Sequence, residues 1–308
     1  MPLGTGPKIG LRAIGIGQRT GLAYCGRVLV RLYDAHNHLQ DERFAGRQAE
    51  LIRACQQEGV VRMVVNGSCE EDWPAVLALA RSYPLVLPSF GYHPWCVHQR
   101  SPAWLQALTE VLDQLPAGVG EIGLDRWKPG LAYADQEEVF VAQLRLAAER
   151  NLPVSIHCLQ AWGRLLELLR DNPRPARGFL LHSYGGSAEL VEPLAKLGAY
   201  FGLPGYFAHA HRSRKRDVFT RVPRDRLLIE TDAPDQPLPT PQTAQPELRA
   251  LFETGRTYPL THPANGQPIN HPANLRVVYE WAAAWLDEPL PKLAEQLEQN
   301  FLRLFGGL

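Results

Sequence analysis

Between residues 28 and 232 the chain repeats one pattern, in which a short run rich in Val, Ile and Leu is followed by a longer helical or connecting segment. The runs read VLVRLYDAH, VVRMVVNG, LVLPSFGYH, GVGEIGLD, PVSIHC, GFLLHS, AYFGL and RLLIETD. Strands that alternate with helices form parallel sheets, whose strands are buried on both faces and therefore almost continuously apolar. Eight such units predict an α/β chain folded as a (β/α)8 TIM barrel.

The predicted barrel covers residues 31–308 as a single domain, because no break in composition divides this region. Residues 1–30 contain seven glycines, several basic residues and no acidic one, which predicts a flexible extension. Such a segment also fits a transit peptide or an over-long translation start. Residues 233–274, after the eighth strand, are rich in Pro and polar residues, which predicts a functional loop or lid.

Charge and cysteine usage narrow the possible function classes. The 32 basic and 32 acidic residues cancel, so no overall field attracts nucleic acid and a polyanion must be held locally. The five cysteines are scattered without a C-x-x-C pair, which predicts a reducing, cytoplasmic location. Every apolar run is too short to span a membrane, and the sequence implies no obligate protein partner.

Side chains that can bind metal follow six of the eight predicted strands. Barrel enzymes carry their chemistry at the C-terminal ends of the strands, so these side chains are expected at one mouth. His36 and His38 stand two residues apart and point the same way in an extended strand. Clusters of His, Asp and Glu hold divalent ions, which favours a metal centre over isolated histidines that only cap strands. The candidate residues are His36, His38, His93, Glu121, His157, His182 and Asp232.

The number of candidate ligands predicts two divalent metal ions. One ion would be held by His36, His38 and Asp232, and a second by His157 and His182. Glu121 would bridge them with one oxygen on each. Two such ions share a hydroxide and stabilise an in-line displacement, and Asp232 would take the proton of the bridging water as general base. The residues therefore predict a hydrolase.

From about Leu32 to its C-terminus the chain resembles the TatD family of metal-dependent hydrolases, the TatD-type deoxyribonucleases. The matching motifs, in order along the chain, are DAHNHL, GYHPW, GEIGLD, a helix with Gln136, Phe140, Gln143 and Leu144, then PVSIH, LHSYGG and ETDAP. The resemblance implies a TIM barrel of the metal-dependent hydrolase type and a phosphodiesterase that acts on DNA. It implies Mg²⁺ as the metal, with Zn²⁺ or Mn²⁺ as alternatives, and the ligand roles given above. For His93 it implies a contact with a substrate phosphate or with the leaving group.

The chain departs from the family pattern in three places. After the histidine of strand five, Cys158 and Leu159 stand where the family usually has a small residue and an arginine, so a phosphate-binding cation is missing. After GLD the family often has an aromatic residue, whereas this chain has Arg126, which is predicted to supply a bidentate phosphate contact instead. The last loop carries INHPANL in place of a compact basic segment.

The residues predict a cytoplasmic metal-dependent hydrolase, and the family resemblance implies DNA as its substrate. An exonuclease is favoured, because a barrel mouth admits a strand end more readily than a duplex interior. Hydrolysis of aminoacyl-tRNA esters, or of a small amide or ester as in amidohydrolases, remains an alternative. Many amidohydrolases bridge their metals with a carboxylated lysine on strand four, where this chain has Glu121. A noncatalytic scaffold is disfavoured, since none of the predicted ligands is missing.

Overall fold

The computed structural model describes residues 29–308. Eight parallel strands form one sheet in chain order, with each strand paired to the next, and together they make the predicted TIM barrel, which is confirmed. The strands are β1 (Leu32–Asn37), β2 (Val60–Asn66), β3 (Val86–Phe90), β4 (Gly118–Asp125), β5 (Val154–Leu159), β6 (Phe179–Leu181), β7 (Ala199–Pro204) and β8 (Leu227–Glu230).

The predicted strands lie close to the observed ones. β4 spans the whole GVGEIGLD run, and its eight residues are all buried, as expected for a strand covered on both faces. β1 begins only at Leu32, and residues 29–31 are not part of the strand. Val28 and the predicted extension before it lie outside the described residues.

Nine α-helices are found within residues 29–308, most of them between successive strands. The longest, α4, follows β4 and buries apolar side chains at the three- and four-residue spacing of a helix face that packs on a sheet. No helix in the described part of the chain is both long and apolar enough to cross a membrane. The helices are α1 (Gln48–Gln57), α2 (Trp73–Ser82), α3 (Trp104–Leu112), α4 (Tyr133–Arg150), α5 (Trp162–Asp171), α6 (Val191–Lys196), α7 (Ser213–Asp217), α8 (Leu275–Trp285) and α9 (Leu290–Phe305).

Two glutamines of α4 tie the helix to the mouth of the barrel. Gln136 Oε1 accepts a hydrogen bond of 2.8 Å from the Asp125 backbone N–H at the end of β4. Gln143 Oε1 accepts one of 2.6 Å from the Tyr92 N–H in the loop after β3. Because both amides are buried, these bonds satisfy backbone groups that water cannot reach.

The barrel closes between β1 and β8 through a mixture of backbone and side-chain bonds. Asp34 accepts hydrogen bonds from the N–H and the hydroxyl of Thr231, at 2.9 and 2.6 Å. The Asp232 N–H donates to the carbonyl of His36 at 2.9 Å. Helix α9 packs across both strands from outside. The first and last strands are therefore held side by side at the mouth.

The segment after β8 was predicted to be a functional loop or lid. It contains a 3-10 helix (Pro246–Phe252) and a two-stranded antiparallel ribbon of β9 (Leu260–Thr261) and β10 (Pro268–Ile269). Only its first part borders the cavity at the mouth, through Asp235, Gln236 and Pro237. The 3-10 helix packs beside α8.

Candidate metal centre

Glu121 occupies the centre of the site and is surrounded by imidazoles. Its side chain is 2% exposed. One carboxylate oxygen, Oε2, lies 3.3 Å from His36 Nε2 and 3.1 Å from His38 Nε2. The other carboxylate oxygen, Oε1, faces the histidines at the ends of strands β5 and β6. The two oxygens of Glu121 thus face different sets of histidines.

The second oxygen, Oε1, lies 3.1 Å from His157 Nδ1 and 2.8 Å from His182 Nε2. These two nitrogens are 3.2 Å apart. His93 approaches the same oxygen at 3.5 Å. Oε1 is buried and takes part in no well-aligned hydrogen bond, although three imidazole nitrogens are within reach.

Asp232, which follows β8, completes the group around the first oxygen. Its Oδ1 lies 3.6 Å from His36 Nε2 and 3.8 Å from His38 Nε2. Asp232 has a φ of 52°, in the left-handed region that non-glycine residues rarely adopt. Such conformations are held by their surroundings and cluster at functional sites.

The donor set fits divalent metal ions. Three groups of side chains place one ligand atom each within 4.8 Å of one another: His36, His38 and Asp232; His36, Glu121 and His182; and His93, Glu121 and His157. Opposed imidazole nitrogens and an unsatisfied buried carboxylate oxygen are stabilised together by a cation that accepts their lone pairs. Mixed nitrogen and oxygen ligands suit Zn²⁺ and Mn²⁺, and the carboxylates also suit Mg²⁺.

The outer nitrogens of these histidines are anchored by other buried groups. His36 Nδ1 lies 2.7 Å from Ser155 Oγ, and His38 Nδ1 lies 2.8 Å from the carbonyl of Asn66. His157 Nε2 lies 3.0 Å from Asp125 Oδ2. Such partners fix the ring orientation and leave the inner nitrogen for a metal.

None of these three partners was predicted as a site residue. Asp125 ends the GEIGLD segment, so its position at a strand end was the available signal. Ser155 lies within an apolar run, and Asn66, although it ends a strand, contacts His38 through its backbone carbonyl, which no residue type predicts. Glu230, the last residue of β8, also lies near the site, and its Oε1 accepts a 2.8 Å hydrogen bond from the hydroxyl of Ser183, the residue after His182.

The two central carboxylates differ in their pKa. Burial alone would raise the pKa of Glu121, but the charges of His182 and His93 outweigh it and hold this pKa well below its usual range. For Asp232 burial dominates and raises the pKa to about 7, although His182 opposes the change. Gln236 donates a 2.6 Å hydrogen bond to Asp232 Oδ2.

The two residues predicted to contact substrate lie in different surroundings. His93 is buried beside the other histidines, and its ring centroid is 4.5 Å from that of His157. Arg126 is not among the side chains that line the cavity, and its guanidinium lies 3.9 Å from the centroid of the Tyr133 ring. On the same loop, Lys128 Nζ lies 4.2 Å from the centroid of the ring of Trp95, which lines the cavity.

A cavity of about 620 Å³ opens directly above the centre. Arg43 is the only arginine or lysine among the described residues that line it, and Arg43 forms ion pairs with Asp41 and Asp235, each at 2.7 Å. The cavity therefore offers an anion little positive charge from the protein alone. Its lining includes His38, His93, Trp95, Glu121, Trp127, His157, Leu159, His182, Tyr206, Asp232 and Gln236.

Comparisons with known proteins agree with this geometry. The family model described as TatD related DNase matches residues 33–306. Escherichia coli K12 YjjV, named an uncharacterized metal-dependent hydrolase, is 30% identical over 282 residues, which cover 91% of this chain and 99% of YjjV. The 3′-5′ ssDNA/RNA exonuclease TatD of Escherichia fergusonii is 30% identical over 281 residues, which cover 89% of this chain and 99% of that protein. The crystal structure of E. coli YjjV superimposes with a TM-score of 0.77 at 29% identity, over 91% of this chain and 100% of that chain.

Proposed function

The chain belongs to the TatD family of metal-dependent hydrolases, and from this premise we propose that it is a divalent-metal-dependent exonuclease that shortens single-stranded DNA or RNA from the 3′ end. The substrate and polarity follow the name of the E. fergusonii relative. One observation carries the hydrolase part, namely that the two oxygens of Glu121 face two separate sets of imidazoles. That arrangement supports a carboxylate shared between two ions.

We assign the ligands by the Glu121 oxygen that each histidine approaches. His36, His38 and Asp232 would hold one ion, His157 and His182 the other, and Glu121 would give one oxygen to each. His93 lies close enough to Glu121 to serve as a ligand or to meet the substrate phosphate. When bound, the ions supply an activated water at neutral pH and neutralise the charge that develops on the phosphoryl oxygens.

The protein side chains have complementary tasks. The Asp232 carboxylate would accept the proton of the attacking water, while Gln236 fixes one of its oxygens by hydrogen bonding. Because the one guanidinium that lines the cavity within residues 29–308 is already paired with two carboxylates, the metals must provide most of the attraction for the scissile phosphate. The substrate KM should therefore depend on the metal as strongly as kcat does.

The first test is cleavage of a 5′-fluorescein single-stranded 20-mer with Mg²⁺, Mn²⁺ or Zn²⁺ added to the metal-free protein. The wild type should shorten the labelled strand one nucleotide at a time, and Asp232→Asn should be at least about 100-fold slower, because the amide cannot accept the proton. The exposed Asp225→Asn, purified in parallel, is the control and should match the wild type. Equal cleavage by wild type and Asp232→Asn would refute the assignment.

A further inference from the structure

Two exposed apolar side chains lie at the mouth of the cavity. Trp127 is 59% exposed and Leu159 is 37% exposed, and both line the cavity. The other large apolar side chains that are exposed within residues 29–308 lie elsewhere, at Leu29, Leu105 and Leu302. An exposed indole forgoes a large hydrophobic stabilisation. Its position at the edge of a concave site therefore points to a ligand that covers it.

The backbone beneath this apolar pair is fixed. The Arg126 N–H donates a 2.9 Å hydrogen bond to the Leu159 carbonyl, which joins the ends of β4 and β5. Asp125 Oδ1 accepts hydrogen bonds from the N–H groups of Trp127 and Lys128, at 2.7 and 3.0 Å. The indole is thus exposed although its backbone is held in place.

The same carboxylate reaches the metal centre. Asp125 Oδ2 lies 3.0 Å from His157 Nε2 and accepts a 2.7 Å hydrogen bond from Trp95 Nε1. One carboxylate side chain therefore connects the loop that carries Trp127 to a proposed metal ligand.

A cation follows Trp127 directly in the chain. Lys128 is exposed, and its Nζ lies 4.2 Å from the centroid of the ring of Trp95, which lines the same cavity as Trp127. An aromatic face with a neighbouring cation matches the alternation of base and phosphate along a single strand. Two side chains are too small an area for a stable protein interface, which buries about 800 Å² on each partner.

We propose that Trp127, with Leu159 beside it, stacks on a nucleobase of the strand whose 3′ end occupies the cavity, and that Lys128 pairs with a phosphate of the same strand. This inference rests on the proposed nuclease function. A base in a duplex already has both faces stacked, so the exposed indole favours an unpaired strand over a duplex. Trp127 is then a specificity-determining residue, and the phosphoryl chemistry is left to the metal centre.

The test separates stacking from catalysis by measuring binding without hydrolysis. Fluorescence anisotropy with Mn²⁺ present would give the Kd for a 5′-fluorescein (dT)8 with phosphorothioate linkages, which resist hydrolysis, and for the same strand with abasic tetrahydrofuran residues in its last three positions. We expect the wild type to bind (dT)8 about tenfold more tightly, and Trp127→Ala to lose most of that preference. Trp127→Phe should keep it, because any aromatic face can stack. Leu302→Ala, which removes an exposed leucine away from the cavity, should behave as the wild type does.

Equal affinity of the wild type for the two strands would overturn the proposal, and so would an equal loss by Trp127→Ala on both. The hydrolysis assay answers a separate question. If binding shows the base preference but no metal supports cleavage, the proposed nuclease function fails while the stacking site stands. If cleavage occurs, Trp127→Ala should raise KM for (dT)8 about tenfold and leave KM for the abasic strand unchanged.

Discussion

Glu121 is the residue on which the proposed centre most depends, because each of its oxygens faces a different group of histidines. Replacing it with glutamine keeps its shape but turns one oxygen into an NH₂ group, which cannot bind a metal. We expect Glu121→Gln to retain at most one of two ions per chain after dialysis, as measured by plasma emission spectrometry. Glu149→Gln, a change on an exposed part of α4, is the control. Unchanged metal content in Glu121→Gln would exclude the bridging role.

Asp125 acts through its neighbours. It holds the outer nitrogen of His157 and also the N–H groups of the following loop. We expect Asp125→Asn to weaken metal binding about 10- to 100-fold, the range typical of partners that orient a ligand. Titration of the metal-free protein with Mn²⁺, followed by isothermal calorimetry, would measure this. An unchanged Kd for the metal would show that His157 is oriented without Asp125.

Sequence position identified the proposed metal ligands, and it missed the residues that orient those ligands through contacts. His36, His38, His157 and His182 follow or end apolar runs, so the geometry of a barrel predicts that they meet. The partner roles of Asn66 and Ser155 depend on distances between strands that a sequence does not contain. Arg126 was predicted to face substrate, but its guanidinium lies over Tyr133, because the direction of a loop side chain is decided by packing.

At the scale of elements, the strands were predicted well and the connections poorly. β4 is a continuous run of buried residues, and period and composition suffice to identify it. The segment after β8 has no periodicity, so its composition indicated a loop but not that its 3-10 helices, Pro246–Phe252 and Pro272–Asn274, would pack beside α8 and α1. The N-terminal boundary of β1 also differed, since residues 29–31 have strand-like composition but are not in the sheet.

The short 3-10 helix Pro272–Asn274 has a pH-sensitive N-cap, His271. The Nδ1 atom of His271 accepts a 3.0 Å hydrogen bond from the Ala273 N–H. Burial, together with the charge of Arg47, lowers the pKa of His271 to about 4. As the pH falls below about 6.5, the unfolded chain takes up this proton first. The stabilisation of the folded chain by neutral His271 is therefore complete above about pH 6.5 and is lost as the pH falls towards 4.

Because of His271, we expect the free energy of unfolding of the wild type to fall by about 2 kcal/mol between pH 7.5 and 5. His271→Asn keeps a capping side chain without a titrating group. The free energy of unfolding of this variant should therefore fall less over the same pH range, by about 2 kcal/mol. Urea denaturation of both proteins, with EDTA present so that metal binding does not contribute, would give the difference. Parallel pH dependence in the two proteins would show that His271 titrates normally.

At the scale of the whole molecule, the proposed centre spans the closure of the barrel. His36 and His38 belong to the first strand and the loop after it, and Asp232 follows the last strand. A ligand that binds only the folded chain stabilises it by about 2.7 kcal/mol at 100 times its Kd. We expect a saturating divalent metal to raise Tm by about 5–10 °C relative to EDTA. Scanning calorimetry should show a smaller rise for Asp232→Asn, and an equal rise would place the ions elsewhere.

The position of the ligands along the chain also sets the order in which they emerge from the ribosome. The group of His93, Glu121 and His157 has all its members once residue 157 is made, and the group of His36, Glu121 and His182 once residue 182 is made. The third group, which consists of His36, His38 and Asp232, is complete only once residue 232 is made, because Asp232 lies across the β1–β8 contact from the two histidines. A polypeptide that terminates before residue 232 lacks that group, so only a chain translated past its eighth strand, as far as Asp232, carries every group from which the proposed nuclease is assembled.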